Sequence, residues 1–128
     1  MRDLKFRYLW LTIGCAMVLF VIYETLTPNP VEMDVAYSDK LMHTLGYFIL
    51  MGWFIQLFQQ KKILLMLGVF FIAMGIGLEF LQKAGGVRYF EINDMIANAS
   101  GVVLATLLLK TPLAEALLWF EKRVLHAF

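Results

Sequence analysis

An all-α integral membrane fold is what this 128-residue sequence predicts, and three observations predict it. Hydrophobic residues make up 61% of the chain and charged residues only 16%, against about 45–50% and 25% in soluble domains. The apolar residues gather into four uncharged runs, each close to the roughly 20 residues that cross a bilayer as a helix. Eight of the eleven lysines and arginines cluster at alternate ends of those runs. Lipid offers no water to the edge of an open sheet, so helices rather than strands are expected. The length suits one small domain, a single membrane domain over residues 1–128.

The elements follow in order. Tyr8 to Tyr23 carries no charge and stays apolar to about Thr27, predicting a first helix over 8–27. Arg2, Lys5 and Arg7 give it a basic start. The apolar stretch is nevertheless long for a signal-peptide core, and no small-x-small cleavage site follows, so a retained anchor is expected. Gly14-Cys15 only partly matches a lipoprotein cleavage box, since Thr12 stands where leucine is usual. The run Leu41–Phe58 predicts a second helix over 41–58. Ile63–Leu78 predicts a third, over 63–81 once Glu79 is accommodated. Met95–Leu109 predicts a fourth over 93–110.

The tail differs. Thr111-Pro112 reads as an N-cap followed by proline in the first turn. Leu113, Leu117, Phe120 and Val124 then recur at helical spacing, with Glu115, Lys122 and His126 on another face. This predicts a C-terminal amphipathic helix over 112–127, lying along the interface with Trp119 as an anchor. A docking face for a partner is the other reading of that helix.

Orientation follows from the basic residues. Arg2, Lys5, Arg7, Lys61, Lys62, Lys110, Lys122 and Arg123 fall on one side, and Lys40, Lys83 and Arg88 on the other. Four transmembrane helices with both termini cytoplasmic are therefore expected. The net charge of +1 lacks the clustered basic face that nucleic acid would favour. The single cysteine, Cys15, forms no disulfide within the chain and is expected to pack mid-membrane. Gly46, Gly75, Gly77 and Gly101 are expected to let helices approach closely.

The chemistry-bearing residues lie at one end. Glu24 is near the end of the first run. Asp39, Lys40 and His43 open the second, Glu79 and Gln82 close the third, and Asp94 and Asn98 open the fourth, with Arg88 in the loop before it. Asp39, His43 and Tyr47 are spaced by four, Glu79 and Gln82 by three, and Asp94, Asn98 and Gly101 by four and three, so each set shares a helix face. Ionisable groups at membrane depth are costly unless they face the bundle interior or water. Pointing these stripes at one another would make a small polar chamber open to the outside. His43, Glu79, Asp94 and Asp39 supply the imidazole and carboxylates of acid–base work. Arg88 and Lys40 suit an anionic group, with Gln82, Asn98 and Tyr47 beside them as binding residues. Imidazole with carboxylate also suits zinc or manganese, but no HExxH or other strong ligand spacing occurs, so neither a metal nor a cofactor is assigned. The competing interpretation is interhelical polar contact alone.

Asp39-Lys40-x-x-His43-x-x-x-Tyr47-Phe48 resembles the first motif of the VanZ-like family. Glu79-x-x-Gln82-x5-Arg88-x5-Asp94-x-x-x-Asn98-x-x-Gly101 looks like its second. Together they cover residues 39–101, and the four-helix layout is similar to the family's short members. The Ala84-Gly85-Gly86 loop and the C-terminal helix depart from the usual pattern. The resemblance implies a cell-envelope membrane protein linked through the family's founding member to teicoplanin resistance, and so to antibiotics that act on lipid-linked wall precursors.

Three functions remain open at this point. A binder would engage a lipid or glycolipid head group at the outer leaflet. An enzyme, a hydrolase or transferase acting on lipid-linked envelope precursors, would pair His43 with Glu79 or Asp94. A structural or assembly subunit would use the cluster as interhelical glue, with no ligand. Four short helices bury little surface between them, which leaves room for a homo-oligomer. A transporter fits less well, because secondary transporters bind near the midplane.

Overall fold

The computed structural model describes residues 2–26, 36–84 and 92–126; the side chains of residues 36–40, 82 and 83 lie outside that description. Among the described residues the regular structure is helical throughout: α1 (Arg7–Leu26), α2 (Ala36–Leu57), α3 (Lys61–Ala84), α4 (Ile92–Thr106) and α5 (Ala116–Arg123). Two 3-10 turns, Leu107–Lys110 and Pro112–Glu115, join α4 to α5.

Three stretches are long and apolar enough to cross a membrane: Arg7–Leu26, Lys61–Leu81 and Ile92–Lys110. These make a multi-pass membrane protein the natural reading. The apolar part of α2, Leu41–Leu57, is shorter. At 1.5 Å per residue it covers about 25 Å, less than the roughly 30 Å hydrocarbon core. The polar turn that carries Asp39 and Lys40 precedes it.

α2 is the hub. It packs most extensively on α4 and also meets α1 and α3. The α2–α4 fit has a cause in the sequence. Ala97, Gly101 and Ala105 recur every four residues and are buried, making a small-residue groove of the kind that brings membrane helices together. A side chain at Gly101 would collide with the backbone of Thr44 and Phe48. Gly75 gives α3 the same proximity to α4, since a Cβ there would meet Asn98. Gly46 and Gly77 do not act this way: among the described residues nothing lies within 4 Å of where their Cβ would be. Gly14 belongs with the close-approach glycines instead, because Trp53 and Phe54 cover it.

Tyr47, Leu50, Met51, Phe54 and Ile55 of α2 form the centre of the core with Phe71 and Val102. Outward faces are apolar too: Leu19, Phe20, Leu65, Met66, Val69 and Val103 are exposed. A contiguous apolar surface of this kind needs a non-aqueous neighbour. Cys15 sits on that outer surface rather than in the packing.

The tail departs from expectation. Thr111 is extended (φ −126°, ψ 160°), as a residue before proline prefers. Its hydroxyl does not cap the following turn but donates back to Leu108 O at 2.8 Å. The stretch Pro112–Glu115 is 3-10, and α-helix begins only at Ala116. Ala114, Leu117 and Glu121 are buried against the bundle, while Leu113, Trp119 and Val124 stay exposed. One face of α5 is thus an intramolecular lid on the end of the bundle, and the opposite face keeps the amphipathic surface with Trp119.

Candidate functional site

At one end of the bundle α2, α3 and α4 bring polar side chains together. His43 and Tyr47 lie one turn apart on α2, and Asp94 and Asn98 one turn apart on α4. His43 Nδ1 is 3.0 Å from Asn98 Oδ1. With the amide oxygen accepting, Nδ1 carries the proton. Thr44 Oγ1 donates to Ala97 O at 3.2 Å, a second polar link between the same helices. Asn98 also packs on α3, with its Cβ and Nδ2 both 3.1 Å from where a Gly75 Cβ would stand. Glu79 of α3 acts electrostatically on Tyr47 of α2.

Burial gives this cluster its weight. Glu79 is 1% exposed and Asp94 7%, and Asn98 and Tyr47 are buried as well. A carboxylate withdrawn from water among apolar helices is costly unless it is paired. His43, Glu79 and Asp94 each engage a partner. Among the described residues, Tyr47 Oη is a buried side-chain oxygen with no hydrogen-bond partner. A buried phenol usually finds one.

The sequence-predicted site is thus described only in part. His43, Tyr47, Glu79, Asp94 and Asn98 occur at this end of the bundle. Arg88 lies outside the described residues, as do the side chains of Asp39, Lys40 and Gln82. Among the described residues no three His, Cys, Asp or Glu side chains group as metal ligands.

A second polar assembly, which sequence reasoning missed, closes the opposite end. Glu121 of α5 is fully buried. Its Oε1 accepts from Lys5 N at 2.8 Å. Its Oε2 accepts from Phe6 N at 2.9 Å and from Trp10 Nε1 at 2.6 Å. A carboxylate borrowed from α5 therefore holds the turn that leads into α1, whose backbone N–H groups lack helical partners and where the helix dipole favours negative charge. Gln56 joins α2 to the tail, donating to Leu113 O at 2.7 Å and accepting from Leu117 N at 2.9 Å. Buried Arg2 donates through Nε to Gln56 O at 3.0 Å, and its backbone N–H donates to Leu57 O. Trp10 stacks edge-on against both Trp53 and Phe120. The available signal was Glu121 itself, four residues after Leu117 and so a carboxylate on the apolar stripe of a short helix.

The chain matches no family model, no curated protein and no solved structure.

Proposed function

We propose that this chain is a VanZ-like protein of the bacterial cytoplasmic membrane, crossing it four times with both termini cytoplasmic. On this reading the cluster of His43, Tyr47, Glu79, Asp94 and Asn98 faces outward and engages a lipid or glycolipid head group. Arg88 and Lys40 hold its anionic part, and Asp39 and Gln82 complete the polar wall. The observation that carries the proposal is the buried Tyr47 Oη, without a hydrogen-bond partner among the described residues, at the end of the bundle where the Glu79 carboxylate is also buried. A cluster built only for stability has no use for a dry, unpaired phenol. An incoming phosphate or sugar oxygen would pair it. The shortness of apolar α2 supports the same reading, because its polar first turn then reaches the head-group layer.

Catalysis is an extension of this proposal. On this extension His43 is the base and Glu79 or Asp94 the acid. Turnover of a lipid-linked envelope precursor by purified protein separates the enzyme from the binder.

A second reading, assembly without a ligand, draws on the interhelical His43–Asn98 and Thr44–Ala97 contacts. Native mass spectra of gently extracted protein and of a folded His43→Ala plus Glu79→Ala variant discriminate between them. A lipid retained by the native chain and lost from the variant supports the site. Identical spectra without a bound species favour the assembly reading.

A further inference from the structure

The end of the bundle opposite the polar cluster carries a feature that this function does not use. Between α2, the 3-10 turn Leu107–Lys110 and α5 runs an open groove of about 390 Å³, within the size range of small-molecule sites. Phe48, Gly52 and Trp53 form one wall, and Leu108, Leu117 and Phe120 the other. It exists because α4 tightens to 3-10 and the extended Thr111 then redirects the chain, so that α5 folds back beside α2 without filling the gap. The one strongly polar residue in the lining is Gln56. Its amide is already engaged at both ends by the tail backbone. The groove thus offers an apolar trough and no polar group in search of a partner.

Two further facts identify what would lie there. The groove is bounded by Leu41–Leu57 and by Ile92–Lys110, an apolar helix and a stretch long enough to span a membrane, so its open side meets hydrocarbon. Its rim is basic. Exposed Lys110 closes the turn that contributes Leu108, and exposed Arg123 ends α5 one turn beyond Phe120. Lys61 and Lys62 start α3 at the same end of the bundle. Basic pockets between membrane helices are where anionic head groups bind. We propose that the groove holds one acyl chain of an anionic phospholipid, with its phosphate against Lys110 and Arg123. This lipid site is separate from the polar cluster at the other end.

Gly52 provides the test. A Cβ there would meet only Leu108 Cδ1, at 3.9 Å, an ordinary contact. Gly52→Leu therefore starts into the groove with its Cβ in ordinary contact and occupies the space beyond it, and it also raises helix propensity. Lys110→Gln with Arg123→Gln alters only exposed positions and leaves the groove open, which keeps a folded variant in hand. The full chain in a mild detergent, with phosphatidylglycerol or phosphatidylcholine of matched acyl chains added, is read by native mass spectrometry.

The native chain is expected to retain phosphatidylglycerol in preference to phosphatidylcholine, and Gly52→Leu to lose both adducts. In the double glutamine variant the preference falls by about fivefold for each basic residue removed, while adducts persist. An adduct that Gly52→Leu removes belongs to the groove, and one that survives Gly52→Leu but is lost from His43→Ala plus Glu79→Ala belongs to the polar cluster, so the two stand or fall separately. Unchanged adducts in Gly52→Leu overturn the groove assignment. Equal retention of the two lipids by the native chain overturns the head-group assignment. A lipid-free dimer that Gly52→Leu dissociates assigns the groove to a second copy of this chain and overturns the proposal.

Discussion

Replacing Glu121 tests whether the tail is a structural part of the bundle. The carboxylate is fully buried and accepts three hydrogen bonds, from Lys5 N, Phe6 N and Trp10 Nε1. Hydrogen bonds to a charged group contribute about 1.5–3 kcal/mol each, so three would sum to roughly 5–9 kcal/mol. Two effects reduce that figure. Burying a charge costs several kcal/mol, which alanine avoids. The donors are also only partly buried and recover some hydration. Glu121→Ala is therefore expected to destabilise by about 2–4 kcal/mol, chiefly through donors left unpaired. Glu121→Gln should cost less. Its amide oxygen can take the Oε2 position, which serves two donors, leaving only the Lys5 N–H facing the amide nitrogen; about 1–2 kcal/mol follows. The assay is SDS-titrated unfolding in mixed micelles, followed by far-UV circular dichroism and by tryptophan emission, to which Trp10 contributes. The reasoning fails if Glu121→Ala unfolds within about 1 kcal/mol of the native chain, or if the glutamine variant is the less stable of the two.

Three other outcomes are expected. Gly101→Leu drives a side chain into the backbone of Thr44 and Phe48, which cannot rotate aside; it should cost about 3 kcal/mol or more and appear as loss of a monodisperse peak in size-exclusion chromatography. Gly75→Ala meets only the Asn98 side chain, at 3.1 Å, so it should shift Asn98 away from His43 and lower retained ligand in native mass spectra, while unfolding changes by no more than about 1–2 kcal/mol. Tyr47→Phe removes a buried hydroxyl that has no hydrogen-bond partner, and should leave stability unchanged or raise it by about 1 kcal/mol while reducing ligand retention; a clear loss of stability would mean that the phenol has a structural partner.

Membrane character was legible because it depends on composition and run length, which are local properties. The grouping of His43 with Asn98 was legible as well, for a related reason. Helical periodicity fixes which residues share a face, and the cost of polar groups in lipid turns those faces toward one another. The choice among glycines was not legible. Gly46, Gly75, Gly77 and Gly101 look alike in sequence, yet only Gly75 and Gly101 lie against a neighbouring helix. That distinction depends on helix rotation, which the sum of all the side-chain contacts sets. Cys15 was misjudged for the same reason: an apolar run does not say which of its sides meets lipid.

The tail was legible only in part, for a different reason. Amphipathicity reports that a helix has two faces, but not whether the apolar one meets lipid or protein. Glu121 resolves this, because a carboxylate on the apolar face is tolerable only where donors converge on it. The start of α1 supplies such donors, with N–H groups that no helical carbonyl can reach. The two ends of the bundle then differ in a way that bears on function. At the tail end Glu121, Gln56 and Arg2 are each held by specific partners. At the other end Tyr47 Oη, equally withdrawn from solvent, has none. An end that satisfies its buried polar groups is stabilised for its own sake. An end that leaves a buried phenol unpaired beside a carboxylate gives up stability that a ligand can restore on binding.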